Sequence, residues 1–179
     1  MKKITIVDYG SGNVLSAQKS FIKIAKDNNI EVDVLISKKL NDVKNSTHIV
    51  LPGQGAFSTC MNGLKKTDGL IDELCEFALI KKKPFLGICV GMQMLANMSE
   101  ENGVHEGLGW IDGQIKLLPG DNLKLPHMGW NLAVPTNSKY NNLISNKNDY
   151  YFVHSYYFDC ANKDNILAET KYGTNFASI

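Results

Sequence analysis

No Cys-x-x-Cys pair occurs among the four cysteines, Cys60, Cys75, Cys89 and Cys160. Neither a zinc site nor a disulfide framework is therefore expected, no metal or cofactor is called for, and a reducing cytoplasm fits. No apolar run reaches the roughly 18 residues that a membrane span needs, and no signal peptide is visible, so a soluble, unprocessed protein without a membrane partner is expected. Charge of one sign is also missing: 19 basic residues face 18 acidic ones, for a net charge of +1. The longest basic run, Lys81 to Lys83, sits at the end of an expected helix, where it favours the C-terminal carbonyls rather than nucleic acid. Internal repeats and domain linkers are absent as well. What remains is a chain of 179 residues, 44% of them hydrophobic. That suits one domain, burying roughly 70% of the surface its unfolded chain exposes.

The first half alternates strand and helix patterns. Ile4 to Val7 is a short apolar run ending at Asp8-Tyr9-Gly10-Ser11-Gly12. Asn13 can cap a helix whose Val14, Ala17, Phe21, Ile24 and Ala25 share one face. Val32, Val34 and Ile36 alternate with polar residues, and His48 to Leu51 is a strand stopped by Pro52-Gly53. Leu70, Leu74, Phe77 and Ala78 mark an amphipathic helix, and Phe85 to Ile88 is another strand. Such alternation implies a mostly parallel sheet with helices on both faces and function at the carboxyl ends of its strands. The second half reads differently, with strands over Gly109 to Leu118, Asn131 to Val134, Tyr150 to Tyr157 and Ile166 to Thr170. These predict antiparallel hairpins added to the parallel sheet. The Asn-rich stretch from Asn137 to Asn148 is expected as a loop.

The strongest chemical signal is Pro84-Phe-Leu-Gly-Ile-Cys-Val-Gly-Met-Gln, in which an apolar strand ends at Cys89 between Gly87 and Gly91. Gly-x-Cys-x-Gly is the cysteine analogue of the hydrolase nucleophile elbow, a tight strand-to-helix turn that lifts the nucleophile above the sheet. A free thiol of pKa about 8.5 is only roughly 3% thiolate at neutral pH. A helix N-terminus contributes about 0.3 to 1 kcal/mol, less than the roughly 1.36 kcal/mol of one pKa unit. A histidine partner is thus required. The alternative is that Cys89 is a small buried hydrophobe, as most lone cysteines are.

Other motifs carry weaker signals. Gly10-Ser11-Gly12 could cradle a phosphate, but it lacks the spacing of either nucleotide fingerprint, and a glycine-rich turn is the plainer reading. Pro52-Gly53-Gln54-Gly55 follows a strand and can turn backbone N–H groups outward, as an oxyanion hole requires; alone it is a turn. Among the histidines, His154 at the end of an aromatic strand is the first choice of general base from spacing, and His127 the second. His48 and His105 have no supporting context, and any lone histidine is more often structural.

Taken together, Asp8-Tyr-Gly-Ser-Gly-Asn, Leu51-Pro-Gly-Gln-Gly-Ala, Gly87-Ile-Cys-Val-Gly-Met-Gln, Pro126-His-Met-Gly-Trp-Asn and Tyr151-Phe-Val-His-Ser-Tyr closely resemble the glutaminase subunits of imidazole glycerol phosphate synthase. Cys-x-Gly-x-Gln is common to class I glutamine amidotransferases, whereas the last two motifs are more specific. The resemblance spans nearly the whole chain and implies a flavodoxin-like class I amidotransferase fold. It further implies hydrolysis of L-glutamine to L-glutamate, with ammonia passed to a barrel-shaped cyclase subunit. That partner forms imidazole glycerol phosphate and an aminoimidazole carboxamide ribotide in histidine biosynthesis. By the same resemblance Cys89 is the nucleophile, and the N–H groups of Val90 and of Gln54 or Gly55 hold the oxyanion after a loop rearrangement. Gln93, Glu101, Ser155 and Tyr156 match glutamine-pocket positions. Asn13, His127, Met128, Trp130, Asn131 and Tyr151 match the face turned to the cyclase, and His154 becomes a pocket or interface residue.

Two departures accompany the resemblance. Gln54 stands where the family often has valine, which matters little to a loop that works through its backbone. The family also carries its catalytic histidine and glutamate in a late His-Pro-Glu segment that is not found in these 179 residues, so a single amidotransferase domain lacking its C-terminal tail is expected. Three rivals stay open at this point: a paralogue supplying ammonia for surface-sugar modification, a catalytically silent partner-binding module, and an unrelated cysteine hydrolase.

Overall fold

The computed structural model describes residues 1–120, 123–136, 143 and 148–179. They fall into two compact units, Met1–Leu95 and Ala96–Ile179.

The first unit is an α/β layer. Its strands β1 (Lys2–Val7), β2 (Val32–Ser37), β3 (His48–Gly53) and β4 (Phe85–Cys89) pair in the order β2-β1-β3-β4, all in parallel. Helix α1 (Val14–Asp27) crosses from β1 to β2, and the Asn13 side chain accepts the Ser16 N–H at 3.0 Å to cap it. Val14, Ala17 and Phe21 pack with Val32, Val34 and Ile36 against buried Ile4, Ile6 and Val50. Ile24, expected on this face, is 62% exposed. The stripe that runs through Phe21 continues one step of four residues to buried Ala25, and the step of three to Ile24 turns out of it.

Strand β3 runs two residues past its expected end. Its register with β4 extends from Ile49↔Phe85 to Gly53↔Cys89, so the ladder carries Pro52 and Gly53 with it. Helices α2 (Leu40–Lys44) and α3 (Phe57–Lys65) lie outside the sequence expectation. In α3, buried Phe57, Cys60, Met61 and Leu64 follow the three- and four-residue spacing of a helix face. Helix α4 (Leu70–Cys75) passes into a π-helical turn over Glu76–Ile80, closed by Lys81 N–H on the Glu76 carbonyl at 2.9 Å. The lysine run is tied down there, with Lys81 Nζ 3.5 Å from Glu76 and Lys83 Nζ donating to the Ser46 carbonyl at 2.9 Å. The four-residue helix α5 (Val90–Gln93) follows β4 directly.

The second unit is built of strands. These are β5 (Met98–Ser99), β6 (His105–Glu106), β7 (Gly113–Leu117), β8 (His127–Pro135), β9 (Asn148–His154), β10 (Tyr156–Cys160), β11 (Ala168–Tyr172) and β12 (Thr174–Ala177), in the order β6-β5-β7-β10-β12-β11-β8-β9. All pairings are antiparallel except that of β5 with β7. The aromatic run from Tyr150 to Tyr157, expected as one strand, is two. It breaks at Ser155, where β9 leaves its pairing with β8 and β10 takes up its own with β7. The Ser155 carbonyl accepts the Leu118 N–H at 2.9 Å at this corner. Buried Ile115, Phe158, Ala168 and Phe176 form the apolar interior. Apart from Leu143 and Asn148, the loop expected from Asn137 to Asn148 lies outside the described residues. Among the described residues no helix is long and apolar enough to cross a membrane.

Candidate active site

Cys89 closes β4 with φ 56° and ψ −119°. A residue bearing a side chain is strained in that conformation by roughly 1 to 3 kcal/mol, and here the surroundings impose it. A Cβ on Gly87 would come within 2.6 Å of the Met92 Cα, one on Gly53 would overlap the Gly91 nitrogen, and one on Gly91 would overlap the Leu51 carbonyl oxygen. Three glycines thus let β3, β4 and α5 meet backbone to backbone. The strand-to-helix bend predicted from Gly-x-Cys-x-Gly is present as an observed geometry.

Cys89 is exposed as a residue. Packing around the thiol nonetheless pushes its pKa up, the Val90 backbone hydrogen bond offsets part of the rise, and neighbouring Cys60 adds to it. The helix start does not by itself supply a thiolate, and the need for a base stands.

The loop after β3 is held by Ser11 and Gly12 of the glycine-rich turn, by Tyr9 just before it and by Cys60, a role that their motifs did not suggest. The Ser11 hydroxyl donates to the Gln54 carbonyl at 2.8 Å, and the Gln54 N–H approaches the same hydroxyl at 3.3 Å. Buried Cys60 contacts both, with Sγ 3.2 Å from Ser11 Oγ and 3.5 Å from the Gln54 carbonyl oxygen. Tyr9 donates its hydroxyl to the Pro52 carbonyl at 2.5 Å, and burial holds its proton on far above the ordinary tyrosine range. Gly12, at φ 86°, leaves no room for a Cβ beside Pro52. Gly10-Ser11-Gly12 is therefore a turn that buttresses the Pro52 loop, which agrees with the plainer of its two readings. The available signals for this support were the helical spacing of Phe57, Cys60, Met61 and Leu64 and the position of Tyr9 just past a strand.

Of the other expected positions, Gln93 ends α5 in the first unit. In the second unit Glu101 donates its N–H to Ser99 Oγ at 3.1 Å just after β5, Ser155 is the corner between β9 and β10, and Tyr156 opens β10. The six residues matched to a partner face separate by location. Asn13 caps α1. On the β8–β9 hairpin, Met128 opposes Val153 and Trp130 opposes Tyr151. These four side chains are 60%, 56%, 74% and 57% exposed respectively, which makes one apolar patch. The Trp130 and Tyr151 rings meet edge to face at 5.7 Å. Alternation along β8 turns His127 and Asn131 to the opposite face, where His127 is buried and Asn131 bonds to its ring. His154 has both ring nitrogens engaged, by His127 and by the Tyr156 carbonyl, which leaves it no free atom for the base role that its spacing suggested. His48 bonds Thr47 and His105 approaches the Asn102 carbonyl, both local contacts.

A strained cysteine elbow at the end of a parallel strand, beside a glycine-lined loop, defines a nucleophile-elbow α/β protein, and comparison gives its class. The family model for Glutamine amidotransferase class-I matches residues 5–179. A solved structure described as a crystal structure of glutamine amidotransferase superposes with a TM-score of 0.67 at 13% identity, covering 96% of this chain and 85% of that one. Three relatives are described as imidazole glycerol phosphate synthase subunit HisH, the second of them as HisH 1. That of Pelagibacter ubique is 44% identical over 96% of this chain and 83% of its own length. That of Campylobacter jejuni is 42% identical over 98% and 84%, and that of Rhodospirillum rubrum 41% over 96% and 82%. The chain belongs to the class I glutamine amidotransferases and, within them, to the HisH subunits of imidazole glycerol phosphate synthase.

Proposed function

We propose that the chain works as the glutaminase half of a two-subunit synthase in histidine biosynthesis, with Cys89 as its nucleophile. The strained Cys89 backbone at the head of α5 carries this reading, because a side chain held in that sparsely populated conformation at a strand-to-helix turn is presented above the sheet, as a nucleophile must be. The Cys89 sulfur attacks the side-chain amide carbon of L-glutamine, and the tetrahedral intermediate places negative charge on the former carbonyl oxygen. The Val90 N–H, at the start of α5, is one donor to that oxygen. Gln54 or Gly55 supplies the second once its peptide turns. Because the Gln54 N–H now faces Ser11, this donor is set by loop movement. The C–N bond then breaks, the nitrogen leaves as ammonia with the proton that the base took from the Cys89 thiol, and water, giving a proton back to the sulfur, hydrolyses the glutamyl thioester to glutamate. The base and its orienting carboxylate we assign to the family's His-Pro-Glu segment, which is not among these residues. Gln93, Glu101, Ser155 and Tyr156 are proposed to bind glutamine.

Ammonia released into water at neutral pH is protonated and lost as a nucleophile, so its consumer must sit against the site. The proposed consumer is a barrel-shaped cyclase, met through the patch of Met128, Trp130, Tyr151 and Val153, with Asn13 as a further contact. A cytoplasmic enzyme with neither nucleic acid nor membrane as partner fits this role. The test is a glutaminase assay of the full-length gene product with its cyclase. Turnover that rises when the cyclase carries its nucleotide ligand supports the reading, and silence in a formed complex makes the chain a binding module. Trp130 is the largest and most exposed side chain of the patch. Trp130→Ala is expected to weaken association with the cyclase about 30-fold, equal to about 2 kcal/mol, measured by calorimetric titration; an unchanged affinity would place the interface elsewhere.

A further inference from the structure

His127 on β8 and His154 on β9 oppose one another in the hairpin register and belong to a single directed chain of hydrogen bonds. His154 Nδ1 lies 3.0 Å from the Tyr156 carbonyl oxygen. A carbonyl only accepts, so the proton sits on Nδ1 and, in the neutral ring, Nε2 is an acceptor. That Nε2 is 2.9 Å from His127 Nδ1, which must donate. His127 Nε2 is then bare, and it faces the Asn131 amide nitrogen at 3.2 Å. The other amide hydrogen goes to the Lys171 carbonyl at 3.1 Å, while Asn131 Oδ1 accepts the Leu132 N–H at 2.8 Å. Turning the Asn131 amide over would set oxygen against the Lys171 carbonyl oxygen, so its orientation is fixed too. Both imidazoles are locked as Nδ1–H, although Nε2–H is the commoner form of free histidine.

The surroundings favour neutral rings. His127 stacks on Tyr172 at 4.0 Å and on Phe152 at 5.0 Å, and Phe176 closes on His154 at 4.8 Å. Besides the two histidines themselves, Tyr172 of β11 is a titratable group packed against the pair. The Tyr172 hydroxyl donates to the Lys124 carbonyl at 2.6 Å. Burial lowers both pKa values, the neighbouring His154 lowers that of His127 further, and the Tyr156 carbonyl offsets part of the fall at His154. An added proton on either ring would set donor against donor somewhere along the chain. Its far end is the Tyr156 carbonyl, next to the corner that the Leu118 N–H grips through the Ser155 carbonyl.

We propose that His127 and His154 are a tautomer-locked positioning pair that holds the Ser155–Tyr156 corner in its glutamine-binding setting from behind the hairpin's exposed apolar face. This rests on Ser155 and Tyr156 lining the glutamine pocket. Neither histidine acts on the substrate itself.

The test uses the full-length gene product in complex with its cyclase. In the 15N spectrum of the histidine-labelled subunit at pH 7.5, both rings are expected as Nδ1–H. His154→Phe keeps the ring packing but loses both bonds; it is expected to raise the KM for glutamine about tenfold with kcat within about threefold. His154→Gln, whose amide can donate to the Tyr156 carbonyl, is expected to recover most of that loss. In the wild type, KM is expected to stay flat through the ordinary histidine value of about 6.5 and to rise only at lower pH, because burial depresses both ring pKa values; this rise flattens in His154→Phe. Stability follows the same sign. Because the folded-state pKa values are depressed, the contribution is complete above the unfolded value and is lost as pH falls toward the folded one. Should His154→Phe not fold, His127→Phe carries the same KM test. An Nε2–H tautomer on either ring, or a KM within twofold of wild type in a folded variant, overturns the pair's role. A wild-type complex that turns over no glutamine would instead overturn the glutaminase reading, with the tautomer result unaffected.

Discussion

Cys89→Ala in the full-length protein, assembled with its cyclase, is expected to abolish glutamine-dependent synthesis while synthesis driven by free ammonia continues at the wild-type rate. Removing a nucleophile that forms the covalent intermediate takes away the thioester route entirely, and losses of at least about three orders of magnitude follow. Ammonia added from solution bypasses Cys89, so its use reports only on the partner and the docking. If both activities fell together, Cys89 would be serving the fold or the interface. The strain at φ 56° and ψ −119° supplies a second readout. Alanine keeps the strained backbone, whereas glycine relieves it at the cost of greater unfolded-state entropy. Cys89→Gly is therefore expected to be about 1 kcal/mol more stable than Cys89→Ala in thermal denaturation. Equal stabilities would mean that the turn is held without strain. A glutamine-like electrophile should label Cys89 alone, and labelling of Cys60 or Cys160 in its place would move the chemistry elsewhere.

What was legible in advance was local. The elbow could be read because its two glycines and its cysteine lie within five residues and the requirement for small neighbours is steric. Strands β1, β2 and β4 were legible from short apolar or alternating runs, and the Asn13 cap from one side chain at one position. Ile24 lies outside the face because the three-residue step from Phe21 turns out of the buried stripe, whereas the four-residue step reaches Ala25. What stayed hidden depends on pairing across long stretches of chain. Ser11 and Gln54 are 43 residues apart and Ser11 and Cys60 are 49 apart, and nothing in either segment names the other. The break at Ser155 was invisible because Tyr150 to Tyr157 is continuous in type, and only the change of partner strand divides it. His154 shows the same limit. Its place at the end of an aromatic strand suggested a base, yet its register opposite His127 uses both nitrogens, and register across a hairpin is a property of two strands rather than one.

Gly91→Ala is expected to damage both stability and catalysis, and the reason lies in a single methyl group. The added carbon would overlap the Leu51 carbonyl oxygen and reach to 2.8 Å from the Leu51 carbonyl carbon and 3.2 Å from that of Pro52. All are backbone atoms of β3, which is itself paired to β4 through Leu51↔Gly87 and Gly53↔Cys89. No side chain can swing aside, so either α5 lifts or β3 shifts. Overpacking of this kind costs about 3 kcal/mol, which in a chain of this size lowers the melting temperature by about 6 to 12 °C. Lifting α5 also carries the Val90 N–H away from Cys89 and from the Pro52 loop. A displacement of about 1 Å between reacting groups is enough to cost about 100-fold in rate. Cys89→Ala and Gly91→Ala are thus expected to differ in kind: the first loses turnover with melting unchanged, and the second loses both. If Gly91→Ala melted within about 2 °C of wild type and kept its glutaminase rate, the backbone contact between α5 and β3 would not be what sets the cysteine in place.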